Sequence, residues 1–294
     1  MNYLTDLLLR LVLVANLAMA LSVSFRWGSR LILCQGIFVG LGCYIAAHLA
    51  NHHSIPLIFS ICSGAFCGIL LGGIMASLTH KLDSASFALI TYIAGLGGME
   101  IFENCNAFTG GRIGTISFRY PDPLSGMITP KAFAAALLIF VGIIFYYIYL
   151  HLRNSQFGRA IHALRDDPIG ATLESVAPYL IERQVFMLFG FHSSIAGALW
   201  AFGLPRLLPD YFSFWSLSLQ VVLACVITGG TDPKRMLVGS LIVVLLSEIS
   251  QSLPMSPQLR GDVPLIFVGL IYILITIFDD PQALYRSIKN RILI

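Results

Sequence analysis

The feature that most constrains this chain is a series of apolar runs, each close to 20 residues long, that recur along its length. They lie at about 9–25, 31–50, 56–78, 85–102, 131–150, 184–203, 216–230, 237–252 and 264–279. An α-helix needs about 20 apolar residues to cross a bilayer, and in hydrocarbon each backbone group must be satisfied within the chain. The runs therefore predict an all-α, polytopic transmembrane bundle of about eight to ten spans, with residues 1–294 forming a single domain.

One polar stretch, from about 151 to 183, separates two of these runs and concentrates the few charges of the chain. Only 11% of all residues are charged, yet this stretch contains four arginines and four carboxylates. Ser155 is positioned to cap one short helix, and Asp167 followed by Pro168 is a usual start of a second one. A folded, charged helical loop between membrane spans predicts a docking surface for a soluble partner.

Positive charge sets the expected orientation, because Lys and Arg concentrate in the cytoplasmic loops of membrane proteins. If the 151–183 loop is cytoplasmic, alternation of the spans places twelve of the 18 basic residues on that side. The twelve are Arg26, Arg30, Lys81, Arg153, Arg159, Arg165, Arg183, Lys234, Arg235, Arg286, Lys289 and Arg291. The split predicts a cytoplasmic loop and C-terminus, an external N-terminus, and an external loop between Asn104 and Lys131.

The polar residues within the apolar runs define no catalytic or metal site. No Gly-Lys pair occurs, so a phosphate-binding loop is absent, and the six cysteines show no C-x-x-C spacing. His192 and Glu248 are candidates for a polar function because ionisable groups inside a membrane are costly. For each of them, a structural hydrogen bond to a neighbouring helix is the alternative. We expect no catalytic residue, no bound metal and no affinity for nucleic acid.

Glycines at four-residue spacing predict close helix packing. Gly64, Gly68 and Gly72 share one helical face, as do Gly36 and Gly40. Small residues at this spacing let two helix backbones approach each other, which is a usual basis of packing in membranes. The partner helix belongs either to this chain, which is the more common case, or to a second membrane subunit.

Several motifs follow one another in a characteristic order. They are Gly36–Leu49 (GIFVGLGCYIAAHL), Ser86–Ala94 (SFALITYIA), Thr109–Gly111 with Gly114, Gly158–Ala171 (GRAIHALRDDPIGA), Ser194–Ala201 (SIAGALWA), Pro209–Trp215 (PDYFSFW) and Gly229–Gly230. In this combination the chain resembles the permease subunits of ABC importers for branched-chain amino acids, and their relatives for urea and short amides. The resemblance extends from about residue 30 to 255.

The resemblance implies a permease subunit in the bacterial plasma (inner) membrane, surrounded by lipid. Its implied partners are a second permease subunit, two cytoplasmic ATP-binding subunits and an extracytoplasmic solute-binding protein. The chain itself would bind no cofactor and would be no enzyme, because ATP and Mg²⁺ belong to the partner subunits. The implied solute is a small molecule, a branched-chain or hydrophobic amino acid, and the helix from about Asp167 to Val176 would dock on the ATPase.

The residues carried over fall into two groups. The docking group comprises Gly158, Arg159, Arg165, Asp166, Asp167, Pro168, Ile169, Gly170 and Leu173. The candidate translocation or structural polar group comprises Thr109, Gly110, Gly111, His192 and Glu248.

Three segments depart from the family pattern. Gly229–Asp232 (GGTD) replaces a G-G-x-G motif, and Lys81–Ala85 (KLDSA) replaces a basic-Gly-Tyr lead-in to the next span. Glu174–Val176 (ESV) stands where a turn containing glycine is usual. These departures affect the prediction of the transported solute more than the prediction of the fold.

Three alternatives remain open at this point. The first is an importer permease for urea or short amides. The second is an ion-coupled secondary transporter, for which no clear internal repeat is found. The third is an intramembrane enzyme, which would require His192 and Glu248 to converge.

Overall fold

The structure is a computed structural model, and it describes residues 2–53, 55–117, 129–228 and 232–252. The α-helices are α1 (Asn2–Ser22), α2 (Gln35–His53), α3 (Leu57–Thr79), α4 (Ser84–Asn104), α5 (Asn106–Thr109), α6 (Pro130–Asn154), α7 (Gln156–Asp166), α8 (Pro168–Leu173), α9 (Pro178–Trp200), α10 (Leu219–Ile227) and α11 (Pro233–Ser252). π-Helical turns occupy Val23–Trp27 and Phe214–Ser218, and 3₁₀ turns occupy Gly111–Ile113, Ala201–Gly203 and Pro209–Phe212. Two short strands, β1 (Thr115–Ile116) and β2 (Arg206–Leu207), pair antiparallel.

Five helices in the described part of the chain are long and apolar enough to cross a membrane. They are Tyr3–Trp27, Leu57–Thr79, Ser84–Asn104, Pro130–Asn154 and Pro178–Ala201, with Phe214–Ile227 as a shorter apolar helix. The predicted runs at 31–50 and 237–252 coincide with α2 and α11. The predicted all-α membrane bundle is therefore confirmed. The count of eight to ten spans stays a prediction, and the run at 264–279 lies outside the described residues.

Local sequence signals explain where several helices begin. The Asp83 carboxylate accepts a hydrogen bond from the backbone N–H of Ser86 (3.4 Å) and caps α4. Thr129 caps α6 in the same way, with Pro130 at the first helical position. Such caps satisfy backbone donors that have no partner within the helix. Hydrogen bonds from Ser86 also lower the pKa of Asp83, so this cap is charged at neutral pH.

Helix α2 lies at the centre of the bundle and packs closely against α3 and α9. The glycines at this junction allow backbones to touch. A Cβ atom on Gly190 of α9 would collide with the backbone carbonyl of Gly68, and one on Gly42 would collide with that of Ser194. Gly72 faces the backbone of Phe186 in the same manner. The glycine spacing of α3 thus serves packing within this chain.

Backbone that is not α-helical leads into both α2 and α10. Residues 31–34, just before α2, have no regular secondary structure, and the backbone N–H of Leu33 donates to Thr91 Oγ1 (3.2 Å). The π-helical turn Phe214–Ser218 leads directly into α10. The start of α2 contacts this turn, where the N–H of Gly36 donates to Ser218 Oγ (3.3 Å). We call this contact the α2–α10 junction.

The bundle has two ends, which we name by their contents. The loop end contains α7, α8, the end of α3 and the start of α9, tied together by an Arg30–Glu182 ion pair (2.7 Å). At the opposite end, Lys131 pairs with Asp6 (2.6 Å), so that α1 and α6 start at the same level. The sheet of β1 and β2 also lies at the opposite end, because it joins the segments that follow α4 and α9.

Candidate functional site

Helix α7 is held against the membrane helices by its inner face. Ser155 caps it as predicted, accepting from the N–H of Gly158 (3.4 Å). Gly158 is required because a Cβ there would collide with the backbone carbonyls of Leu152 and Arg153. The His162 ring packs against Trp27, with 5.9 Å between ring centroids. Burial lowers the pKa of His162, and nearby Arg165 lowers it further, so the packed ring is neutral near pH 7.

Helix α8 projects an apolar face into solvent. Asp167 is its N-cap, as predicted, and its carboxylate accepts from the N–H of Gly170 (3.0 Å), with Pro168 at the first helical position. Ala171 is buried against the protein, whereas Ile169 is 76% exposed and Leu173 is 82% exposed. Residues four apart lie on one helical face, so Ile169 and Leu173 form a small exposed patch. We call it the α8 patch.

The last turn of α8 ends in a left-handed residue. Ser175 has φ +67°, and the N–H of Val176 donates to the carbonyl of Ala171 (3.0 Å). This is the hydrogen-bond pattern of a helix terminus that usually places glycine at the left-handed position. The departure of this chain from the family pattern is therefore a serine in a glycine position.

Changing Ser175 to glycine is expected to stabilise the α8 turn. A residue with a side chain is strained at positive φ, typically by about 1 kcal/mol, and glycine is not. The expected readout is slower limited proteolysis between α8 and α9. The control is Ser155→Ala, which removes the cap of α7 and should accelerate cleavage of the loop; equal rates for both variants would contradict the assignment.

Gly170 is required by the cap of α8 itself. A Cβ at this position would collide with the Asp167 carboxylate. Any larger residue at Gly170 therefore displaces the cap in addition to altering the surface. A substitution here does not report on a docked partner alone.

The charged residues of the loop differ in the hydrogen bonds that they form within the chain. Arg165 donates to the backbone carbonyl of Arg26 (3.0 Å) and to Asp166 (3.0 Å). Arg159 is exposed and donates to the carbonyl of Asn154 within the same loop (3.0 Å). A contact of either arginine with a partner protein stays a prediction. Arg165 in addition forms hydrogen bonds within this chain.

His192 is fully buried in a hydrogen-bonded network that joins three membrane helices. The Tyr149 hydroxyl lies 2.7 Å from its Nδ1, and Asn16 Oδ1 lies 3.1 Å from its Nε2. Asn16 uses its amide N–H groups on the carbonyls of Val12 and Leu138, so its oxygen must accept from Nε2–H. Both ring nitrogens of His192 are thus hydrogen-bonded, and the ring stacks on Phe145 with 3.7 Å between ring centroids. This matches the structural alternative for His192.

Changing Tyr149 to phenylalanine is expected to destabilise the bundle. It leaves His192 Nδ1 buried without its hydrogen-bond partner, which costs about 1–3 kcal/mol. Thermal unfolding of the purified protein in detergent should show a lower midpoint. Tyr147→Phe is the matched control, because Tyr147 is 65% exposed on the same helix; an equal shift for both would contradict the network.

Glu248 lies far from His192. Its carboxylate accepts from the Tyr3 hydroxyl (2.6 Å) at the start of α1, whereas His192 is bonded to Asn16. Thirteen residues of α-helix separate Tyr3 from Asn16, which corresponds to about 20 Å. The two residues therefore do not converge, and the structure contradicts the pairing that an intramembrane enzyme would need.

The Thr109–Gly111 motif forms a tight turn at the opposite end. Thr109 is buried, and its hydroxyl donates to the Phe102 carbonyl (2.6 Å) while accepting from the N–H of Gly111 (3.2 Å). Gly110 and Gly111 both have positive φ, +74° and +60°. The turn leads into β1, where a Cβ on Gly114 would collide with the carbonyl of Leu207. The motif shapes the backbone of this end of the protein.

The sequence did not reveal the structural contacts of three residues. Arg26 donates to two backbone carbonyls of α10, Arg30 pairs with Glu182, and Asn16 links His192 to α1. Their basic or polar character next to an apolar run was visible. Their partners lie between 152 and 200 residues away along the chain, so spacing could not reveal them.

The membrane-length helices in the described part of the chain define a multi-pass membrane protein. A family model described as the permease component of branched-chain amino acid transport systems matches residues 3–277. The chain belongs to this family. The resemblance drawn from the motifs is thereby confirmed. A search of curated proteins found no match.

Proposed function

We propose that this chain is a membrane-spanning subunit of an ATP-driven importer and that the loop end faces the cytoplasm. In this proposal α8 docks on a cytoplasmic ATP-binding subunit, and the opposite end receives the solute from an extracytoplasmic binding protein. A second permease subunit completes the membrane part. Membership in a permease family of the ABC type supports this assignment.

The observation that carries the proposal is the α8 patch. Two large apolar side chains are exposed on a short, capped helix. Exposed apolar surface of this kind is typical of a protein–protein contact, in which a few central residues carry most of the binding energy. A docked ATPase would bury both side chains, and its movement would reach the spans as a rigid-body displacement.

We propose a branched-chain or hydrophobic amino acid as the solute, because the family model describes this transport class. Urea and short amides are the second candidate, since the related permeases share the loop motif. An ion-coupled transporter would leave the α8 patch without a role.

The proposal is tested by reconstituting the permease pair with its ATPases and binding protein in liposomes. Leucine uptake should require ATP on the side of the ATPases, with acetamide and urea tested in parallel. The chain reconstituted alone should neither hydrolyse ATP nor transport. Uptake by this chain alone, driven by an ion gradient, would contradict the importer assignment.

The proposed orientation predicts a labelling pattern in intact cells. Ser117 is unsuitable for an external probe, because it is buried and its hydroxyl donates to the Ala201 carbonyl. Arg112 is the better site, because its side chain is 82% exposed at the opposite end. In a cysteine-free background, an impermeant thiol reagent should modify Arg112→Cys and spare Ser84→Cys. The reverse pattern would invert the orientation.

A further inference from the structure

Arg26 lies between the α7–α8 loop and the end of α10. It belongs to the π-helical turn Val23–Trp27, which ends the first membrane span. Its guanidinium donates to the Cys225 carbonyl from Nε (3.1 Å) and Nη2 (2.6 Å), and to the Val226 carbonyl (2.7 Å). These carbonyls lie in the last turn of α10, where helices lack internal donors and where a cation complements the helix dipole.

The backbone of the same residue holds the loop. The carbonyl of Arg26 accepts a hydrogen bond from Arg165 of α7 (3.0 Å). One further contact joins the turn to α7, since the His162 ring packs on Trp27. Arg26 therefore contacts the loop through its backbone and α10 through its side chain.

The far end of this connection has incompletely satisfied polar groups. The π-helical turn Phe214–Ser218 precedes α10, and Ser218 bonds to the start of α2. Beside this junction, Gln35 Oε1 and Gln220 Oε1 are buried and accept no hydrogen bond from the residues that the structure describes. π-Helical turns often occur at functional positions in membrane and soluble helices. Because these acceptors are unpaired, the hydrogen bonds between α2 and the π-helical turn can rearrange when α10 moves.

We propose that Arg26 is a positioning residue that transmits displacement of the ATPase-docked loop to α10 and so to the α2–α10 junction. This inference rests on the proposed importer function. A movement of α8 pulls on α7, Arg165 moves the π-helical turn through the Arg26 carbonyl, and the Arg26 guanidinium moves the end of α10. The residue acts through α10 and contacts no solute.

The test compares uptake with ATP hydrolysis in the reconstituted complex, expressed as solute molecules transported per ATP. Arg26→Gln should assemble and hydrolyse ATP, and it should lower this ratio by about tenfold or more. One hydrogen bond to a charged group is worth at least that factor in an equilibrium. Arg26→Lys keeps the positive charge but loses the paired hydrogen bonds of the guanidinium. Its ratio of transported solute to hydrolysed ATP should therefore lie between those of the unmodified complex and Arg26→Gln.

A second variant probes the contact between the loop and the Arg26 carbonyl without touching α10. Arg165→Gln should also lower the ratio, and the double variant should be no worse than Arg26→Gln alone, because the two contacts act in series. Arg153→Gln is the control, since it breaks an exposed ion pair with Asp232 at the same end. A ratio unchanged in Arg26→Gln overturns the proposal, as does a loss of uptake that only follows a loss of assembled complex. Absence of ATP-dependent uptake in the unmodified complex would instead contradict the importer function, and this inference with it.

Discussion

Changing Ile169 and Leu173 together to serine is expected to weaken binding of the ATP-binding subunit by about 100-fold or more. Burying each side chain in a partner cleft is worth about 1.5–3 kcal/mol, and 1.4 kcal/mol corresponds to a factor of ten in affinity. Both side chains are exposed in the isolated permease, so its own fold should tolerate the change. Solute uptake should fall with the loss of the bound ATPase.

The measurement is co-purification of the ATPase with the tagged permease, together with the amount of permease in the membrane. Leu78→Ser serves as the control, because Leu78 is 68% exposed at the same end but lies outside α8. Normal ATPase recovery with the double variant would show that α8 is not the docking helix. Asp167→Ala should have a smaller effect, because a cap is worth about 1 kcal/mol.

Changing Gly190 to alanine is expected to remove most of the folded protein from the membrane. The new Cβ would collide with the backbone carbonyl of Gly68, and neither helix can yield by rotating a side chain. Overpacking of a core usually costs about 1–3 kcal/mol, and a backbone collision between two central helices lies at the upper end of this range or above.

The control for this prediction is the same substitution at another membrane glycine. Gly97→Ala in α4 meets nothing within 4 Å and should leave the yield of folded protein unchanged. Fluorescence size-exclusion chromatography of both variants gives the comparison directly. Equal yields would contradict the close approach of α3 and α9.

The sequence predicted those parts of the structure that depend on neighbouring residues. The apolar runs that overlap described helices, the Ser155 cap and the Asp167–Pro168 start of α8 are all local signals, and the structure confirms them. The exposure of Ile169 and Leu173 could also be anticipated, because a short polar loop cannot bury both faces of a two-turn helix.

The rest depended on long-range contacts. Arg165 was interpreted as a residue facing a partner, and its bond to the Arg26 carbonyl joins residues 139 positions apart. His192 and Glu248 were both possible membrane polar sites, and only the packing of α1 against other helices separates them. The π-helical turns have no sequence signature of comparable strength, because they arise where tertiary packing widens an ordinary helix.

The exposed α8 patch also has a consequence for how cells produce this protein. In the proposed importer, a permease that is synthesised before its ATPase would present two exposed apolar side chains to the cytoplasm, where chaperones and proteases recognise such surfaces. We expect the unassembled subunit to be degraded faster and the bound ATPase to protect it. Cellular levels of the permease should therefore follow those of its partner, and co-expression of the two should raise the yield of both.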